Sequence, residues 1–168
     1  MIMQHRPDPG PGSRPGTLAF DPDFLRLLAG SHARLVGAPL LSEDAGGDDE
    51  VRARWLYEAA PFCVLAHNTD ADPRFVYANR AAQDRFEYGW DEFTTLPSRL
   101  SAEAPDRAER QRLLDAVTRD GFIGDYRGLR IAKSGRRFWI ESATVWQLID
   151  EAGALHGQAA AFRDWREV

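Results

Sequence analysis

Cysteine is almost missing from this chain: Cys63 is the only one among 168 residues. A single thiol excludes an internal disulfide and any metal site built from a cysteine cluster. No apolar run approaches the ~18 residues that a membrane helix needs. The first residues, M-I-M-Q-H-R-P-D-P-G-P-G-S-R-P-G, lack the apolar segment of a secretory signal. Together these features predict a cytoplasmic protein with no membrane partner. Positive charge is not in excess either. A net charge of −5 argues against nucleic acid as a partner, since that affinity rests on phosphate neutralisation. The one tight basic run, Lys133-Ser134-Gly135-Arg136-Arg137, is short and reads as a hairpin tip. Walker, H-E-x-x-H, C-x-x-C and G-x-S-x-G motifs are all absent. His5, His32, His67 and His156 are scattered, with no i,i+4 pair to hold a metal.

What is present divides the chain unevenly. Residues 1–17 are rich in proline and glycine without periodicity and predict a disordered tail. Residues 18–40 predict an amphipathic helix. Asp21-Pro22 is its start, Phe24, Leu27, Leu28 and Leu35 recur at helical spacing, and Gly37 and Pro39 are its stop. Residues 41–50, L-S-E-D-A-G-G-D-D-E, read as an acidic linker. All five tryptophans and all four tyrosines follow it. Large aromatics supply most buried area per residue, so the main domain is expected over residues 51–168.

Inside that domain, the patterns predict strands over Phe62–His67 and Phe75–Ala78 and short helices over Arg80–Glu87 and Trp90–Thr95. A longer helix follows over Asp106–Arg119, opened by a D-x-x-E pattern. Three strands then form a meander: Tyr126–Ala132, Phe138–Ile149 and His156–Phe162. This order predicts an α+β fold in which helices cover one face of a five-stranded antiparallel sheet. Two residues invite a catalytic reading. His67 ends a strand and has the proton affinity of a general base. Glu141 interrupts a strand rich in β-formers, where a carboxylate is unusual. Each has a structural alternative: a strand-end histidine bonded to its neighbours, and a glutamate paired with Arg127, Arg130 or Arg137.

Three segments carry a family likeness: F-V-Y-A-N-R-A-A, F-E-Y-G-W-D-E-F and K-S-G-R-R-F-W. In this order and spacing they resemble a PAS domain. More narrowly, W-L-Y-E-A-A-P-F, L-A-H-N-T, Y-A-N-R-A-A-Q, L-P-S-R-L-S-A-E, D-Y-R-G-L-R-I and G-Q-A-A-A-F are similar to the PAS-related MEKHA domain, of the stand-alone bacterial type. That resemblance implies a sensing, ligand-binding or protein-interaction module. It leaves open a small cone-shaped isomerase or hydratase using His67 or Glu141, and a structural domain whose pocket is self-filled by Trp146 and Phe86.

The likeness also tests cofactors. Where light-sensing relatives carry a reactive cysteine within N-C-R-F-L, this chain has Pro97-Ser98-Arg99-Leu100-Ser101, and Arg130 and Ile140 stand at the flavin-binding amides. The segment from Arg80 to Gly121 has no histidine to hold a haem. Neither flavin nor haem is expected. Ser98 and Arg99 remain candidate ligand contacts. By hairpin parity, Tyr126, Arg130, Ile140 and Ser142 are expected to face a pocket, opposed by Val64, Ala66, Tyr77 and Ala159. Arg130 would hold a carboxylate there or pair internally with an acid. The opposite sheet face would carry Leu129, Ile131, Trp139, Ala143 and Val145, which predicts a cover: the amino-terminal helix in cis, or a homodimer.

Overall fold

The computed structural model describes residues 17–102 and 107–168. The tail expected over residues 1–17 falls almost wholly outside them, as does Asp106 at the head of the longest helix. Helix α1 spans Pro22–Val36. The Asp21 side chain accepts from the N–H of Asp23, proline occupies the first turn, and Gly37 ends the helix at φ 80°. A 3₁₀ turn at Glu43–Ala45 leads to α2, Asp49–Glu58, capped by Asp48. Leu40, Leu41 and Ala45 are buried in the core shared by α1 and α2, so residues 41–50 fold back onto the protein.

Strands β1, Cys63–His67, and β2, Phe75–Ala78, follow. Then come α3, Arg80–Phe86, α4, Trp90–Phe93, a 3₁₀ turn at Ser98–Ser101, and α5, Arg107–Asp120. The chain ends in β3, Phe122–Ile131, β4, Arg137–Ile149, β5, Leu155–Phe162, and β6, Asp164–Glu167. The antiparallel sheet runs β2-β1-β5-β4-β3. The sixth strand extends the expected five: β6 pairs Phe138–Glu141 of β4, beyond the point where β5 leaves it. Its sequence, D-W-R-E, is too charged and short to signal a strand, and only the free edge of β4 recruits it.

Each face of the sheet has its own cover. On one, α1 and α2 pack over Val64, Tyr77, Trp146, Leu148 and Ala159. On the other, α3 and α4 pack over Leu65, Phe75, Phe138, Ile140 and Phe162, and α5 lays Leu113 and Val117 on Val145. Opposed bulges in β3 and β4 set this division. Gly128 pairs with Ile140 but Tyr126 with Ala143, so β4 carries an extra residue, with Ser142 at φ 48°; β3 carries its own around Asp125, at φ 53°. A bulge reverses side-chain parity. Ala143 and Val145 therefore face the same helices as Ile140, which corrects the expectation that they lie on the outer face. That face keeps Leu129, Ile131 and Trp139, all half-buried, with the Arg127 guanidinium 3.9 Å from the Trp139 ring.

Asn79 joins three elements. Its Oδ1 accepts from the N–H groups of Val64, at 3.0 Å, and Ala82, at 3.1 Å. Its Nδ2 donates to the carbonyls of Leu56 and Phe62. The side chain caps α3 as expected and also fastens α2 and β1. Asn79→Ala would strand four buried backbone groups, so a loss of about 3 kcal/mol is expected, checked by urea unfolding. The basic hairpin tip docks on acids: Lys133 pairs with Glu92, and Arg136 with Glu87. Its charge is thereby met within the chain.

Candidate ligand-binding site beneath helix α5

A cavity of about 50 Å³ lies between α5 and the sheet. Phe75, Phe86, Leu113, Leu114 and Val145 form much of its apolar wall, and Arg110, Arg130, His67, Gln158 and Ser101 supply polar groups. It adjoins an outer groove of about 460 Å³, and the two share His67, Arg110, Leu114 and Gln158.

Arg130 is 8% exposed. It sits on β3 directly opposite Phe138, which turns it toward the helices. Its Nη1 donates to the carbonyl of Leu129 at 2.8 Å, and its Nη2 to the Tyr126 hydroxyl at 3.4 Å. Among the described residues it has no carboxylate partner. A guanidinium carries five N–H donors, so most remain available. Arg110 reaches the same cavity from α5. It precedes Leu113 and Leu114 by three and four positions, on their helical face. Burial, and then the charge of Arg130, hold its guanidinium down to about 10. Two cations in one low-dielectric space repel each other and favour an anion between them.

His67 and Gln158 are paired across β1 and β5. The Nδ1 of His67 lies 2.8 Å from the Asn68 carbonyl and donates to it, which leaves the lone pair on Nε2. Nε2 of His67 and Oε1 of Gln158 are shut off from solvent as two facing acceptors, with the Gln158 side chain within hydrogen-bonding reach of the imidazole. Gly157 makes this arrangement possible, because a Cβ there would sit 1.9 Å from the His67 carbonyl oxygen. Burial lowers the affinity of His67 for a proton, and does the same for His32 on the buried face of α1. The unfolded chain protonates both near pH 6.5, while the folded rings stay neutral to lower pH. Below pH 6.5 the unfolded state thus binds more protons. Stability is expected to fall as pH drops from 7 to 5.5, by at most about 1.4 kcal/mol per pH unit per ring. Urea melts at both pH values check this, and the slope should shrink in His32→Asn.

The residues expected at the site scatter over four places. Arg130 and Ile140 line the cavity, and Tyr126 borders it through its bond to Arg130. Ser98 and Arg99 line the outer groove. The Ser98 hydroxyl is buried without a partner, and Arg99 pairs with Asp72 at 3.1 Å. Val64, Ala66, Tyr77 and Ala159 pack in the α1 core, although Ala66 and Ala159 also border the cavity. Ser142 opens onto a separate groove beside His32, Thr144 and Arg163. The parity expected for Val64, Tyr77 and Ser142 is therefore corrected: the pairs Leu65–Ala160 and Val145–Ala160 set the cavity-facing series. Of the two bulky residues expected to fill the pocket, Phe86 lines it, whereas Trp146 lies on the α1 side. Glu141 faces away, 3.1 Å from Arg127 and 3.8 Å from Arg166. Arg110 was missed, although its helical spacing from Leu113 and Leu114 was readable.

The MEKHLA domain family model matches residues 22–167, nearly the whole described chain. The chain belongs to the MEKHLA domain family. This is the PAS-related family to which the sequence likeness pointed. The match places α1 inside the MEKHLA domain. A homeobox-leucine zipper protein of Arabidopsis thaliana, ATHB-9, is 27% identical over 166 residues, covering 92% of this chain. This chain spans 19% of that relative's length. Among solved structures, a PAS domain from Colwellia psychrerythraea superposes with a TM-score of 0.58 at 14% identity, over 70% of this chain and 93% of that one. An RNA-binding light-oxygen-voltage receptor superposes at 0.57 and 20% identity, over 68% and 31%. These likenesses establish a MEKHLA domain with a PAS-type fold. No helix among its described residues is long and apolar enough to cross a membrane.

Proposed function

We propose that this chain is a non-catalytic sensor module whose cavity beneath α5 binds a small carboxylate at Arg130. The carrying observation is Arg130 itself. A buried guanidinium costs desolvation energy unless it meets an anion, and no acid among the described residues meets it. The family and the PAS-type fold support a sensory role. The adjoining groove gives a ligand room beyond the small inner cavity, so the head group would sit inside and the rest at the mouth.

Several observations favour binding over catalysis. His67 and Glu141 lie on opposite faces of the sheet, and Glu141 is engaged by two arginines. A proton-transfer pair at one cavity is not formed by them. Flavin and haem fit poorly. Ser98 lacks a thiol, and Cys63 is fully buried outside the cavity with its thiol pushed up to about 12. The cavity is far smaller than either ring system and is lined by two cations.

Native mass spectrometry and thermal shifts against a panel of small acids test the reading. At a hundredfold excess over Kd, a true ligand should raise the midpoint by about 5–10 °C. An empty protein indifferent to the whole panel would discard it. The same reading includes self-association through Leu129, Ile131 and Trp139, since α1 covers the other part of that face within one chain. Trp139→Glu is expected to halve the mass seen by light scattering; a wild-type protein already at 18.9 kDa would refute this.

A further inference from the structure

A single carboxylate on Arg130 leaves three groups of the same wall unexplained: Arg110, His67 and Gln158. No carboxylate among the described residues acts on Arg110, and the buried Nε2 of His67 and Oε1 of Gln158 face each other as two acceptors with no donor between them. Arg110 brings a second cation, and one carboxylate can neutralise only one guanidinium. It also belongs to both the inner cavity and the outer groove, so an anion at Arg110 would sit at the mouth while another group occupies the interior. His67 presents Nε2 with its lone pair, since Nδ1 is committed to the Asn68 carbonyl. Gln158 adds a second acceptor, Oε1, from the neighbouring strand. These acceptors call for a donor on the ligand. An ammonium would meet repulsion from two guanidinium groups; a hydroxyl would not.

Resting on the carboxylate reading, we propose that the site takes a small organic dianion that carries a hydroxyl. One anionic group lies on Arg130 inside the cavity and the second on Arg110 at its mouth. The hydroxyl donates to Nε2 of His67. The inner space of about 50 Å³ admits little more than a head group, given the ~30 Å³ that a water occupies in the liquid. The remainder of the ligand therefore runs past Arg110 into the groove. Because Arg110 rides on α5 while Arg130 and His67 ride on the sheet, the ligand would tie helix to sheet.

The test is calorimetric titration of the full chain at constant ionic strength with four probes: malate, succinate, lactate and propionate. They separate the second charge from the hydroxyl. Malate is expected to bind about tenfold tighter than succinate, and succinate about tenfold tighter than propionate, as expected for single charge-assisted bonds. Arg110→Gln should bring malate to the level of lactate while leaving the monoanions unchanged. His67→Phe should erase the difference between malate and succinate, and that between lactate and propionate, while leaving the effect of the second charge in place. The wild-type probe ratios stand even if a variant fails to fold. Lactate equal to malate, or an unchanged ratio in Arg110→Gln, would overturn the dianion and leave the simpler carboxylate site intact. Inorganic phosphate, titrated as a fifth probe, would also overturn it by binding more tightly than malate. Binding of none of these probes would remove both readings.

Discussion

Replacing Arg130 with methionine is expected to raise the thermal midpoint of the ligand-free protein and to abolish its response to anions. The two effects have one cause. In the free protein the guanidinium is 8% exposed, lies beside a second cation and reaches two neutral oxygens, the Leu129 carbonyl and the Tyr126 hydroxyl. Those bonds recover only part of the cost of taking a charge out of water. Methionine fills similar volume, leaves no charge behind and packs against Phe86 and Ile140. A gain of about 1 kcal/mol, or 2–4 °C for a chain of this length, should follow. Arg110, relieved of its neighbour's field, should regain part of its lowered proton affinity. An ordinary core arginine would behave in the opposite way, with a loss of stability on truncation. Arg127→Met is the control: that side chain pairs with Glu141 and covers Trp139 on the other face, so its loss should leave any anion response intact. A destabilised Arg130→Met that still responds to acids would show Arg130 to be structural.

Much of this architecture was legible because its signals are local. Asp21-Pro22 and Gly37 bound α1, Asn79 caps α3, and Ser134-Gly135 turns the β3–β4 hairpin, each through chemistry confined to a few residues. The site was less legible because it depends on register. Strand parity propagates along β4 only until Ser142 takes a positive φ, and nothing in E-S-A-T distinguishes a bulge from a continuous strand. Every residue beyond it then changes face. The extension of β3 back to Phe122 was hidden for a similar reason: Gly124-Asp125 reads as a break, yet it is the extra residue on that strand that lets Phe122 and Ile123 pair with Trp146 and Val145. Arg130 was found because it lies between the hairpin turn and both bulges, where parity is unbroken. Val64 and Tyr77 were assigned to the wrong side because their relation to β3 passes through two intervening strands. The partnership of Arg110 with Arg130 is a contact between α5 and the sheet, and no spacing within either segment encodes it.

Removing residues 1–45 is expected to abolish cooperative folding, although the PAS-type sheet and its own helices would remain in the chain. The segment contributes Phe24, Leu25, Leu28, Leu40 and Leu41, all buried, to the core over Tyr77, Trp146 and Leu148. At about 1.5–3 kcal/mol for each fully buried large side chain, its burial is worth roughly 7–15 kcal/mol before the entropy of ordering α1 is subtracted. That is comparable to the roughly 5–15 kcal/mol by which a whole domain is stable. Its polar contacts are specific as well. The Trp146 indole N–H donates to the Ser31 hydroxyl at 3.1 Å, the His32 ring stands edge-on to Trp146 at 4.8 Å, and Arg34 donates to the Ile149 carbonyl. Without α1 the indole N–H would meet water beside an apolar sheet face, a surface that promotes association. The shortened chain should therefore aggregate or melt without a sharp transition in calorimetry. Leu28→Ala in the intact chain should show the graded form of the effect, about 2–5 kcal/mol. A soluble, monomeric 46–168 fragment with an unchanged midpoint would mean that α1 is an appendage, in spite of its place inside the MEKHLA match. The opposite result would make α1 an integral cover of the sheet's outer face, and would leave Leu129, Ile131 and Trp139 as the part of that face still open to a second copy.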